Sequence, residues 1–176
     1  HRLIRRQRQM CIRDRAKGDP IRDRYRKIRH FGTQNASPVS AAAGLATLNI
    51  VAEGKVIPRV NYLAEKLRKE LNEVIAKNGV KSCVYGFSSI FHTLFNHECK
   101  KRGECDYVHC NYDYQKIYDR NPILLQRFWN ALVNKGVDSM VVHGTVSYAH
   151  SEKDIEHTVE AFDYAIKETK ALGLLT

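Results

Sequence analysis

No apolar run in this 176-residue chain approaches the roughly 18 residues that a membrane-spanning helix needs. Nor does the chain open with a basic stretch followed by an apolar one, as a secretory signal would. The expectation is a cytoplasmic, globular protein without a membrane partner. Cysteine is too sparse and too uneven for a disulfide framework: there are five, an odd number, in a chain that is 43% apolar and long enough to build a core without staples. Free thiols follow. Internal repeats are absent as well, which excludes solenoids and points to one medium domain or a piece of a larger protein.

What the chain does have is positive charge, +10 in all. Clustered Lys and Arg are the electrostatic footprint of nucleic-acid binding, so the distribution matters. Residues 1–15 carry six arginines against Asp14 alone, and residues 16–29 add six basic and two acidic side chains. Residues 30–176 are nearly neutral, with 17 basic and 16 acidic. A basic nucleic-acid-binding module would therefore rest on residues 1–29.

The opening stretch has a second reading. Its ten residues RRQRQMCIRD, Arg5 to Asp14, can be written codon by codon as CGT CGG CAG CGT CAG ATG TGT ATA AGA GAC, which resembles a transposon adapter used in preparing sequencing libraries. Residues 1–15 then read as adapter translation to be set aside from fold reasoning, with the biological sequence starting near Ala16. On that reading half the net charge is foreign to the protein, and no nucleic-acid partner is expected.

Beyond the basic stretch the residues up to Ser37 read as loop, punctuated by Gly18, Pro20 and Gly32. Ser37-Pro38 is a helix start, with a capping residue followed by proline at the first helical position. The helix runs to Gly54, and its small residues Ala41, Ala42, Ala43, Gly44 and Ala46 predict a close-packed, buried element. A second helix begins about Pro58, with Leu63, Leu67, Leu71 and Val74 on one face, and stops at Asn78-Gly79. KSCVYGFSSIFHTLFN predicts two short strands broken at Gly86, and His97 to Asp119 an irregular excursion. Asn121-Pro122 starts a third helix ending at Gly136, in which Phe128, Trp129 and Leu132 belong to the core. VDSMVVHGTVSYAH alternates as a strand, and Ser151 with Asp154 forms a capping box for a final helix with Ile155, Val159, Phe162 and Ile166 on its inner face. Glu65-Lys69 and Lys66-Glu70 read as solvated pairs one helical turn apart. The sum is an α/β chain with helices covering a small sheet.

Two clusters could carry chemistry. HECKKRGECDYVHC gathers His97, Cys99, Cys105, His109 and Cys110, but the order Cys99-x5-Cys105-x4-Cys110 lacks a tight C-x2-C hook. A loop with ordinary thiols is expected there, a zinc-binding interaction domain being the competing reading; no metal site is assigned. In HFGTQNASPVSAAAGLATL, Gly32 lets backbone approach closely and Thr33 offers a hydroxyl and an N–H just ahead of a helix. Such an arrangement can hold an anion, although it also describes an ordinary helix entry.

At this point the residues resemble a family. RKIRHFGTQNASPVSAAAGLATLNIV is similar to the segment H-x-G-T-F-x-x-N-P-L-x-x-A-A-G-x-A-T-L of the class III, pyridoxal-phosphate-dependent aminotransferases. VNKGVDSM and GTVSYAHSEKDIEHTVEAF resemble the family's closing strand and S-x-x-H-T-x-x-D-I segment, in the same order and register. Members of the glutamate-1-semialdehyde aminomutase type look nearest.

The resemblance implies the C-terminal part of a fold-type I transferase. Residues 16–53 would end the large cofactor domain, and residues 54–176 would form the small α/β domain. It implies pyridoxal 5'-phosphate as cofactor, a homodimer, and small-molecule amino donors and acceptors. Thr33, with Gly32 beside it, would hold the cofactor phosphate of the partner subunit. Gln34, Ser37 and Val39 depart from the family's Phe, Asn and Leu. The chemistry also needs a Schiff-base lysine and a carboxylate for the ring nitrogen, which the family carries ahead of the H-x-G-T segment. Lys17, beside Gly18-Asp19-Pro20 with no apolar strand before it, reads as a loop lysine. No catalytic residue is therefore assigned, and the chain alone is expected to be inactive.

Overall fold

The computed structural model describes residues 37–97, 120–140 and 142–176. The chain divides into two units, His1–Glu53 and Gly54–Thr176. In the first, the described element is helix α1, Pro38–Ala52. Ser37 occupies the capping position with extended backbone and Pro38 opens the helix, but the serine side chain makes no capping hydrogen bond. The small-residue run is not buried as the sequence suggests. None of the residues of α1 is buried, and Val39, Leu45 and Leu48 stand 78%, 62% and 65% exposed. Apolar residues occur all round this helix, so no single stripe turns inward.

The second unit is built on helix α2, Val56–Lys77. Val60, Leu63, Ala64, Leu67, Leu71, Val74 and Ile75 recur at three- and four-residue spacing and are all buried. Each fully buried leucine or isoleucine there contributes about 1.5–3 kcal/mol. The helix starts two residues ahead of Pro58 and ends at Asn78, followed by Gly79 at φ +63°. Strands β1, Cys83–Tyr85, and β2, Ile90–Leu94, form an antiparallel hairpin. Gly86 is required at its turn because a Cβ there would fall 2.0 Å from the Ile90 carbonyl oxygen.

Helix α3, Pro122–Asn134, is capped by Asn121, whose side chain accepts from the Ile123 and Leu124 amides. Strand β3, His143–Thr145, completes a three-stranded sheet of order β1-β2-β3. The long alternation from Val137 to His150 thus yields only three strand residues, with an isolated bridge between Met140 and His143. Helix α4, Glu152–Ala171, carries the expected Ser151–Asp154 capping box.

Helix α2 lies against β1 and β2, and α4 packs on α2 and α3. Phe128 joins the layers, with its ring edge-on to Phe95 at 4.6 Å and to Phe162 at 5.0 Å. Ile155, Phe162 and Ile166 are buried as expected, while Val159 is half-buried at the core margin. Trp129 is likewise half-buried, its indole N–H donating to Asp138 Oδ1 at 3.0 Å. Lys66 does reach Glu70 at 3.8 Å, yet its nearer carboxylate is Glu152, 3.3 Å away on α4. It therefore ties two helices together rather than decorating one. The hydrogen bond to Glu152 raises the lysine's pKa, and the same bond lowers that of the glutamate.

Candidate functional site

The residues expected to hold phosphate, Gly32 and Thr33, lie outside the described residues. So do Lys17, Cys99, Cys105, His109 and Cys110. What the structure places is the helix that follows the Gly-Thr loop. Its first turn carries no acidic side chain, Ser37 leaves the first-turn amides uncapped, and Pro38 contributes no N–H. A helix start of this composition suits an anion, because among the described residues neither a serine cap nor an acidic side chain neutralises the positive end of the helix dipole.

No described lysine is buried. Lys66 pairs with acids, the Lys135 ammonium lies 4.4 Å from the centre of the Tyr164 ring, and Lys167 pairs with Asp163. None of these is a desolvated amine poised as a nucleophile.

A crevice of about 230 Å³ beside β3 and the start of α4 collects Asp138, Thr145, His150, Asp154, His157 and Thr158. Its polar groups are largely occupied with one another. Asp138 accepts from Trp129; His150 Nδ1 accepts from the Ser147 amide at 3.0 Å, which puts that ring's proton on Nε2; and His157 Nε2 lies 2.9 Å from the Lys135 carbonyl oxygen. Asp154 accepts from the Ser151 amide at 2.7 Å and from its hydroxyl at 2.8 Å, and these bonds hold its carboxyl below the usual range. The crevice thus serves the fold and presents no activated base.

The sheet face that carries His92 differs. Register pairs Tyr85 with His92 and His92 with His143, so three rings stand in one row across all three strands. Phe91 and Thr93 point the other way and are buried. Gly144 permits this arrangement from behind, since a Cβ there would come within 2.7 Å of the Phe91 ring. Partial burial lowers the His92 pKa, and the positive charge of His143 and Arg120 lowers it further. Arg120 and His97 also border a crevice of about 300 Å³ at the end of β2. His97 was legible as a candidate only through the neighbouring cysteines; the His-Tyr row was missed because its members are scattered along the chain. The signal that could have found it is parity, once strand register is known. Among the described residues, no three His, Cys, Asp or Glu side chains come together as a metal-binding group.

Comparison with solved structures places this architecture among the transaminases. An omega-transaminase from Sphaerobacter thermophilus is 26% identical with a TM-score of 0.60, over 81% of this chain and 31% of that one. A beta-phenylalanine aminotransferase from Variovorax paradoxus gives a TM-score of 0.61 at 24% identity, over 85% of this chain and 32% of that one. The fold is therefore that of the fold-type I, pyridoxal-phosphate-dependent transferases. Among curated relatives, the glutamate-1-semialdehyde 2,1-aminomutase of Thermoplasma acidophilum is 33% identical over 140 residues, 78% of this chain and 30% of that protein. That of Halorubrum lacusprofundi is 30% identical over 152 residues, 77% of this chain and 34% of that protein. Over most of its length the chain thus resembles glutamate-1-semialdehyde aminomutases in sequence and transaminases in fold. It spans about a third of the length of the curated relatives it matches. No protein-family profile matches it. The comparisons lend nothing to the nucleic-acid-binding reading, nor to the zinc-binding one. No helix among the described residues is long and apolar enough to cross a membrane.

Proposed function

We propose that this chain is the C-terminal portion of a pyridoxal-phosphate-dependent enzyme that moves an amino group, either between an amino donor and an acceptor or within one substrate. The observation that carries the proposal is agreement between relatives of both kinds, transaminases by structure and aminomutases by sequence, each matching over most of this chain. The cofactor, when bound, supplies an electron sink for the carbon bearing the amino group. The residues of this chain would hold and orient it. Thr33 would donate its hydroxyl to the phosphate of the partner subunit's cofactor, and Gly32 would let the backbone come close. The uncapped start of α1, free of acidic residues, supports an anion at this place. Residues 16–53 would then end the cofactor domain, residues 54–176 would form the small domain of a cytoplasmic homodimer, and the Schiff-base lysine would come from elsewhere in the intact protein.

The test uses the product of the whole reading frame. It should show the cofactor's visible absorption band and convert either glutamate-1-semialdehyde or an amino donor with a keto acid. Thr33→Ala should weaken cofactor retention about 10- to 100-fold, the expected loss of one hydrogen bond to a charged group. The 176-residue chain by itself should be inactive. A full-length product without cofactor absorption overturns the proposal.

A further inference from the structure

We propose that His92 and His143 together bind a divalent first-row transition ion, in a weak and exchangeable site on the sheet face opposite Phe91 and Thr93. The two residues are register partners on β2 and β3, so their side chains leave the sheet on the same side. Both are half-buried, on the side of the sheet opposite the buried Phe91 and Thr93. Their ring centres are 5.4 Å apart with planes inclined at 43°. An imidazole nitrogen sits about 2.0–2.1 Å from zinc, so two rings on one tetrahedral ion have their centres roughly 5 Å apart. The pair already stands close to that spacing. Tyr85 stacks on the other side of His92, with ring centres 5.3 Å apart and planes at 27°, and restrains the ring from swinging away. Little side-chain freedom then remains to be lost on binding.

The ligand chemistry selects the ion class. Imidazole suits zinc, copper and nickel, whereas calcium and magnesium take oxygen ligands. No third His, Cys, Asp or Glu joins the pair among the described residues, so water or a small chelating molecule completes the coordination sphere. That makes an open site, unlike the closed four-ligand sites that hold a fold together. Arg120 lies within electrostatic reach of His92 and works against a second positive charge, which keeps the affinity modest.

The test is a zinc titration of the isotopically labelled chain, read on the ring nitrogens of individual histidines by NMR, so that binding at other histidines or cysteines does not confuse the result. The expected outcome is that the His92 and His143 rings respond together, with a single apparent affinity. In His143→Gln, His92 should lose its response over that concentration range while the backbone amide spectrum stays native. If that variant does not fold, His143→Ala and the shared affinity in the unaltered chain decide. The proposal is overturned if the two rings respond at different zinc concentrations, if His92 responds equally in His143→Gln, or if neither has shifted when the other histidines are saturated.

Discussion

Asn72 holds the edge of the sheet to helix α2, and its removal should be the costliest single polar change in the second unit. The residue is 5% exposed and Val84 is 3% exposed. Val84 N–H donates to Asn72 Oδ1 at 3.0 Å, while Asn72 Nδ2 donates to the Val84 carbonyl at 2.7 Å and to the Arg68 carbonyl at 2.8 Å. Among the described residues β1 is an edge strand, so no described strand stands on that side to satisfy Val84. Asn72→Ala leaves a buried donor and a buried acceptor without partners, at about 1–3 kcal/mol each. Some water enters the vacated space, so the net loss should be about 3 kcal/mol rather than the full sum. Urea denaturation at neutral pH measures it, and hydrogen exchange at the Val84 amide localises it. A loss below about 1 kcal/mol with an unchanged denaturant slope, or a Val84 amide as protected as before, refutes the reasoning.

The opposite sign is expected at Ser82, whose buried hydroxyl has no hydrogen-bond partner among the described residues: Ser82→Ala should raise stability by up to about 1 kcal/mol in the same assay. Gly144→Ala should cost about 1–3 kcal/mol by driving a methyl group into the Phe91 ring, and Phe91→Leu in the same chain should recover part of the loss. Ser151→Ala should cost about 1 kcal/mol through the lost cap of α4. Because the folded pKa of Asp154 is depressed, its contribution is present above the ordinary carboxylate pKa and lost as the pH falls through the folded value. Asp154→Asn should therefore be destabilising at neutral pH and indistinguishable from the parent once both states are protonated, as thermal melts across that range will show.

Much of the fold was legible because its signals are local. The face of α2 from Leu63 to Val74, the stop at Asn78-Gly79, the caps at Asn121 and Ser151, and the break at Gly86 each depend on residues a few positions apart. The length of β3 was not legible, since alternation from Val137 onward continues past the point where pairing with β2 ends. The exposure of α1 within this chain was not legible for a related reason. Small residues permit close packing but do not supply a partner, and in this structure the helix buries nothing. The Lys66 pair was read as solvated ornament because helix spacing shows Glu70, whereas Glu152 is 86 residues away.

The sequence by itself carried the resemblance to the class III aminotransferases, through the spacing of H-F-G-T, the alanine-rich helix and the S-Y-A-H closing segment, and with it the expectation of where a cofactor phosphate would sit. Periodicity and capping chemistry likewise set the helices, because hydrogen bonds four residues apart and side chains on one face are properties of contiguous chain. Only the tertiary structure decided which distant residues meet. Strand register put Tyr85, His92 and His143 in one row, and helix packing brought Asn72 to Val84 and Lys66 to Glu152. Such encounters depend on closing loops of about seven to more than eighty residues around a shared core, and no local pattern in the chain encodes the result.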